Sequence, residues 1–438
     1  MQNSETFDYI IVGAGSAGCV LANRLTASGR HRVLLLEAGP KNRHPWLHIP
    51  LGFGRLFNNR RFNWCYETEP QPGCHNRKVI APRGRVLGGS SSINGLVYIR
   101  GQAEDFNVWR QLGNTGWSFE EVLPYFRKAE DNERGADQFH GVGGPLAVSD
   151  LCDRHPLAEA FVEAAVQCGY PRNDDFNASL QEGAGYYQTT MRNGLRSSTA
   201  AAYLKPASRR ANLKVVSEAL ATRIVFEGRR VTRRGYLAIP AVSAGCFLRA
   251  HPTSATPDSQ CSISLFSAQT IGGELHPFPG VTGNCVLLRP ESRGYVQITS
   301  ADPRDAPAIN PNYLATQKDC ETIVAGVAAM RRIFKAPAMA RYIAEEIEPG
   351  PRCDDGDELL DFIRRRGSTT YHPVGTCRMG QDQKAVVDER LRVRGFTGLR
   401  VIDASIMPAV VSGNTNAATI MIGEKGADMI IEDAKRGL

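Results

Sequence analysis

Residues able to do chemistry concentrate at two places in this chain. The first is the run Gly13-Ala14-Gly15-Ser16-Ala17-Gly18, with Glu37-Ala38-Gly39 downstream. Gly13 permits a tight turn, Gly15 lets backbone approach a pyrophosphate, and Gly18 lets a helix pack closely on a strand. Free N–H groups and the positive dipole end of the helix that follows this run would hold phosphates, with Ser16 and Ala17 among the cofactor-binding residues. Glu37 lies 22 residues after Gly15, where a carboxylate can accept hydrogen bonds from both ribose hydroxyls. The second place is His372, in Tyr371-His372-Pro373-Val374-Gly375-Thr376. An imidazole with an ordinary pKa of ~6.5 is neutral at working pH and can take a proton. The small, stiff residues around it suit the fixing of a side chain. By contrast, His44, His48, His75 and His155 sit in polar, proline-containing stretches that read as exposed loops, and His140 sits in a glycine-rich turn.

The elements that must position these groups are legible. Asp8–Val12 is a short apolar run of the kind a strand buried on both faces shows, Cys19–Leu25 is helical, and Arg32–Leu36 is a second strand. Strand, glycines, helix, strand and acid in this order predict dinucleotide binding. They do not separate FAD from NAD, although Glu37 would repel a 2′-phosphate. Near the carboxy terminus, Leu399–Ser405 reads as a buried strand ending in Asp403, and a helix pattern over Ala418–Asp428 follows a polar glycine loop. That loop places N–H groups at a helix N-terminus, where they can meet an anion.

Composition bounds the rest. At 438 residues, with 42% hydrophobic and 22% charged residues, the chain is an ordinary globular protein long enough for two domains. No stretch approaches the ~18 uninterrupted apolar residues of a membrane helix, and the N-terminus lacks a basic region of secretory type. Eleven cysteines with no Cys-x-x-Cys pair argue against zinc or a disulfide framework, no metal is expected, and a reducing, cytoplasmic setting is. The net charge of +7, with arginine pairs that read as solvated faces, does not point to nucleic acid.

A second glycine cluster runs through Ala81-Pro82-Arg83-Gly84-Arg85-Val86-Leu87-Gly88-Gly89-Ser90-Ser91-Ser92-Ile93-Asn94-Gly95-Leu96-Val97. Its small residues imply backbone lying close to something flat or charged, and its interleaved apolar positions want burial. This segment resembles the first signature of the glucose–methanol–choline (GMC) oxidoreductases, flavoenzymes that oxidise alcohols. Leu112–Ser118, Phe139–Leu146, Arg196–Ala200, Leu288–Gly294 and Tyr371–Gly380 are similar to the same family, so the resemblance spans nearly the whole chain.

The resemblance implies FAD in the dinucleotide site. Val86, Asn94, Gly95, Leu96 and Val97 would pass beside the cofactor, Trp64 and Ala221 would lie near its other end, and Asp403, Ala404 and Thr415 would contact the flavin. Ile93 stands where some members attach FAD through histidine, so binding is expected to be non-covalent. His372 matches the active-site histidine. Asn414 matches a position held by histidine or asparagine; its amide can donate to an alkoxide but is a poor base, and its alternative role is a helix N-cap. The expected reaction is oxidation of a small-molecule alcohol by hydride transfer to flavin N5, with oxygen or a quinone-like compound as electron acceptor.

The expected architecture is α/β: a discontinuous Rossmann-like FAD-binding domain from 1–145, 195–240 and 375–438, and a mostly antiparallel α+β substrate domain from 146–194 and 241–374. Segments such as Gly294–Thr299 would build its sheet, with helices near Asp319–Phe334 and Glu358–Arg366 on one face. The second GMC signature, a strand entering Ser-Ala-Gly-Ala, is not found. The register blurs over Val231–Tyr236, and Ser243-Ala244-Gly245 is either its remnant or the start of the substrate domain. The chain is shorter than typical members by on the order of a hundred residues, a domain-fragment-sized difference, which should leave a sheet edge unpaired. The competing readings are a non-catalytic flavin-binding homologue and an NAD-linked dehydrogenase.

Overall fold

The structure is a computed structural model that describes residues 5–151, 154–222, 225–227, 230–232, 244–268, 275–351, 353 and 356–437. The apolar run after Asp8 forms the strand Tyr9–Val12, which pairs in parallel with Val33–Leu36 from Tyr9↔Val33 to Val12↔Leu36. A parallel pair needs a crossover, and the helix Ser16–Thr26 supplies it. Leu213–Val216 joins the far side of Val33–Leu36, also in parallel. Gly18 is required where it stands: a Cβ there would lie 1.9 Å from the Gly13 carbonyl oxygen, so any side chain would push the helix off the strand.

The carboxy-terminal helix, Asn416–Lys435, lies against Ser16–Thr26. Gly423 allows the approach, since a Cβ there would meet Val20 Cβ at 3.1 Å and Ala17 Cα at 3.2 Å. Arg24 clamps the fully buried Glu424 through Nε and Nη2, at 2.8 and 2.7 Å, and the Tyr203 hydroxyl donates to the same carboxylate at 2.9 Å. A buried carboxylate is tolerable because each oxygen has a donor.

The second unit is a four-stranded antiparallel sheet ordered Thr282–Leu287, Ser259–Ser264, Ala244–Leu248, Gly183–Tyr186. Helices Pro156–Gln167 and Gln317–Lys335 pack on it through Phe161, Ala164, Met330 and Ile333. Ala244 and Gly245 lie inside this sheet; Ser243 and most of the blurred register lie outside the described residues.

Three expectations need correction. Gly294–Thr299 is not part of the four-stranded sheet: Tyr295–Gln297 pairs with Ala308–Asn310 in a separate two-stranded hairpin. Its alternation is real, but Val296 and Ile298 point to solvent. His44 and His48 are half-buried rather than exposed. Leu399–Ser405 is not a strand. It makes one isolated bridge, Arg392↔Arg400, and Val401 to Ser405 are half-buried without a ladder. The reason is a missing neighbour. Among the described residues Tyr9–Val12 pairs on one side only, and an apolar run with no strand beside it cannot satisfy its backbone as sheet.

Candidate active site

The two glycine clusters fold onto each other. Gly88 N donates to Ala14 O at 2.7 Å, and a Cβ on Gly89 would lie 2.7 Å from Gly15 Cα. Ser16 Oγ donates to Asn416 Oδ1 at 2.7 Å, which joins the starts of the first and last helices. Two helix N-termini thus share one location with Gly13 (φ +93°) and the backbone of Gly15, an arrangement suited to phosphate. Ala17 is buried beneath it.

At the other end, fully buried Glu37 is already oriented: Ala14 N donates to one carboxylate oxygen at 3.0 Å and Gly39 N to the other at 2.8 Å. Burial pushes its pKa up to about 7 against those two donors. Ala38 is buried beside it, and Ala219 N donates to Glu37 O at 2.8 Å, which brings Ala221 to the same end. Val86 is buried, and its backbone N would meet a Cβ on Gly39 at 2.4 Å. Trp64 stacks on Tyr66 with ring centroids 5.7 Å apart, under the Arg85 guanidinium. These aromatics line a cleft of about 890 Å³ whose walls include none of Glu37, His372 and Asn414.

His372 and Asn414 do meet. Asn414 Nδ2 lies 3.1 Å from His372 Nε2, and His372 Nδ1 lies 3.0 Å from Thr415 Oγ1. With Nδ1–H donated to the threonine hydroxyl, the tautomer leaves the Nε2 lone pair toward Asn414. Burial lowers the pKa of His372 to about 4, and the nearby Arg83 guanidinium pushes the same way. The ring is therefore neutral at neutral pH. Asn414 is not the helix N-cap; Thr415 holds that position, without a side-chain bond. Asn414 Oδ1 is buried with no hydrogen-bond partner, as is Gln181 Oε1. Orphaned acceptors are costly unless something else is bound there.

Sequence reasoning missed the supports of this pair. Asp105 receives Ser412 N at 2.7 Å, Ser412 Oγ at 2.8 Å and Arg289 Nη2 at 3.0 Å. Gln181 Nε2 donates to Ser412 O at 2.8 Å, and Trp109 Nε1 donates to Ala409 O at 3.0 Å. Together they lock residues 409–412 just before Asn414. The only signal for Asp105 was its capping-box spacing from Gln102, which says helix start rather than site.

Asn94 and Val97 are buried, Gly95 is half-buried, and Leu96 is held at φ +77°, unusual for a residue with a side chain. Asp403 is half-buried and accepts from Ser405 N at 2.7 Å, with burial raising its pKa; Ala404 follows it. Among the described residues no group of three or more His, Cys, Asp or Glu could hold a metal, and no helix is long and apolar enough to cross a membrane. The paired helix starts, preset Glu37 and orphaned Asn414 carbonyl fit a dinucleotide with a reactive end beside His372.

Comparison with known proteins identifies the family. The amino-terminal and carboxy-terminal GMC oxidoreductase family models match residues 7–238 and 290–423. The chain belongs to the GMC oxidoreductases: it is an FAD-dependent oxidoreductase acting on CH–OH donors. Among its relatives, the alcohol dehydrogenase [acceptor] of Pseudomonas putida is 37% identical over 527 residues, covering 97% of this chain and 96% of that protein. The mitochondrial choline dehydrogenase of Homo sapiens is 38% identical, covering 98% and 90%. The crystal structure of pyridoxine 4-oxidase from Mesorbium loti superposes with a TM-score of 0.91 at 29% identity, over 98% of this chain and 99% of that one. An alignment 527 residues long against a chain of 438 leaves on the order of a hundred of that relative's positions without counterpart, the size of a domain fragment. Relatives of this kind do not favour the non-catalytic or the NAD-linked reading.

Proposed function

We propose that the protein oxidises a small-molecule alcohol to an aldehyde or ketone with His372 as general base and Asn414 supporting the substrate oxygen. The observation that carries this reading is the 3.1 Å approach of Asn414 Nδ2 to His372 Nε2, on a ring that burial keeps neutral. Bound FAD supplies the hydride acceptor at N5. His372 Nε2 takes the hydroxyl proton, and the Asn414 amide donates to the oxygen as negative charge develops there. Thr415 accepts from Nδ1–H and keeps the imidazole in the tautomer that makes Nε2 the base. Gly13, Gly15, Ser16, Ala17 and Gly18 hold the pyrophosphate, and Glu37 accepts the ribose hydroxyls. Ala38, Trp64, Val86 and Ala221 border the adenosine end, while Asn94, Gly95, Leu96, Val97, Asp403 and Ala404 border the flavin. Ile93 offers no nucleophile, so FAD is held non-covalently. Oxygen or a quinone-like compound then takes the electrons, in the cytoplasm.

The test is spectral. Purified protein with FAD is expected to be yellow and to bleach on anaerobic mixing with a panel of alcohols. His372→Ala is expected to slow bleaching about 10²- to 10⁴-fold while FAD affinity stays within about threefold. Equal loss of both rejects the assigned role.

A further inference from the structure

Arg196 is a buried cation that the proposed mechanism leaves unused. It is 3% exposed, and among the described residues no carboxylate pairs with it. Its Nη1 donates to Asn94 Oδ1 at 2.5 Å and to Ser91 O at 3.3 Å, its Nη2 donates to Pro50 O at 3.4 Å, and its Nε is buried without a partner. Arg100, equally buried, pairs with Glu130 and shows the ordinary solution. Buried guanidinium groups are normally matched by anions, because desolvating an unmatched charge is expensive. Here burial alone lowers the pKa to about 9. Among the described residues no anion answers this charge.

The same side chain fixes an amide. Asn94 Oδ1 accepts from both Arg196 Nη1 and Leu96 N, the latter at 3.2 Å. With the carbonyl end committed to these donors, the Nδ2 edge faces the opposite way, free to donate. Leu96 is held in its left-handed conformation by the same contacts, so Arg196 braces the whole Asn94–Val97 turn.

We propose that Arg196 is a positioning residue for the flavin: it orients the Asn94 amide toward the cofactor, and its unmatched charge favours electron uptake by the flavin. This rests on the reading that Asn94–Val97 borders the flavin. The test uses FAD-loaded full-length protein, with FAD affinity and flavin midpoint potential as readouts. Arg196→Met, similar in length and neutral, is expected to weaken FAD binding about ten- to a hundredfold and to make the potential more negative. Arg196→Lys keeps the charge and is expected to hold the potential near wild type while losing part of the affinity. Should Arg196→Met not fold, Arg196→Gln takes its place. A neutral variant with unchanged potential, or neutral and charged variants that behave alike, overturns the proposal. Failure of the unaltered protein to take up FAD would instead sink the function proposed above, so the two failures are distinguishable.

Discussion

His140 and His372 are both turned inward, and their surroundings give them opposite characters. His140 is 2% exposed and held between two carboxylates, with Nδ1 3.0 Å from Glu130 and Nε2 2.8 Å from Asp175. Burial works against its charge, but the bonds to Asp175 and Glu130 prevail and hold its pKa at about 9. Arg100 completes the cluster by pairing with Glu130 and donating to Phe139 O at 2.7 Å. His372 has a hydroxyl on one nitrogen, a carboxamide near the other, and a cation nearby, so its pKa falls to about 4. A ring held charged at neutral pH is a structural cation. A ring that is neutral, with its Nε2 lone pair facing only an amide, has the character a base needs. The residue type is shared; the neighbours decide the chemistry.

The comparison can be sharpened by removing each ring's neighbours. The largest structural effect is expected from Glu130→Gln, which leaves Arg100 and His140 without their shared carboxylate. Breaking a buried pair from one side costs about 3–5 kcal/mol, readable as a lower midpoint in urea, with little change in the pH dependence of the alcohol reaction. On the other side, Asn414→Ala is expected to slow flavin reduction about 10²-fold with stability nearly unchanged, checked by stopped-flow absorbance and thermal melting. Thr415→Val removes the hydroxyl that fixes the tautomer and is expected to cost less, about tenfold in the same rate, with FAD affinity retained.

The smallest effect separates the rings by pH. His140 has a raised folded pKa, so its contribution to stability is complete below the unfolded value of ~6.5 and is lost as pH rises through about 9. His372 has a depressed one, so stability falls as pH drops from ~6.5 toward about 4. Melting temperature against pH should therefore decline on both sides of neutrality. His140→Gln is expected to flatten the alkaline limb; an unchanged limb there contradicts the carboxylate-held cation.

How much was legible in the residues follows from how locally each feature is determined. Gly13, Gly18 and Glu37 act through their own backbone and immediate neighbours, so spacing alone revealed the turn, the close helix packing and the acid. The helices at Ser16–Thr26 and Asn416–Lys435 were likewise visible, though their starts fell earlier than the apolar patterns indicated. Leu399–Ser405 was misread because strand character depends on a partner, and apolar alternation cannot report whether one is present. His140 was read as a residue in a bland turn because its carboxylates come from positions 130 and 175. Asp105, Gln181 and Arg196 reach the site through contacts 102 to 307 residues apart in sequence; nothing at their own positions announces that.

The central claim is that His372 acts as a neutral base beside the flavin, and the pH dependence of anaerobic flavin reduction by a saturating alcohol tests it most directly. The account predicts a rate that rises through about pH 4, stays level across neutrality, and loses that acid limb in His372→Ala. An acid limb at ~6.5 or above in the unaltered protein, or a limb that survives the substitution, would contradict it.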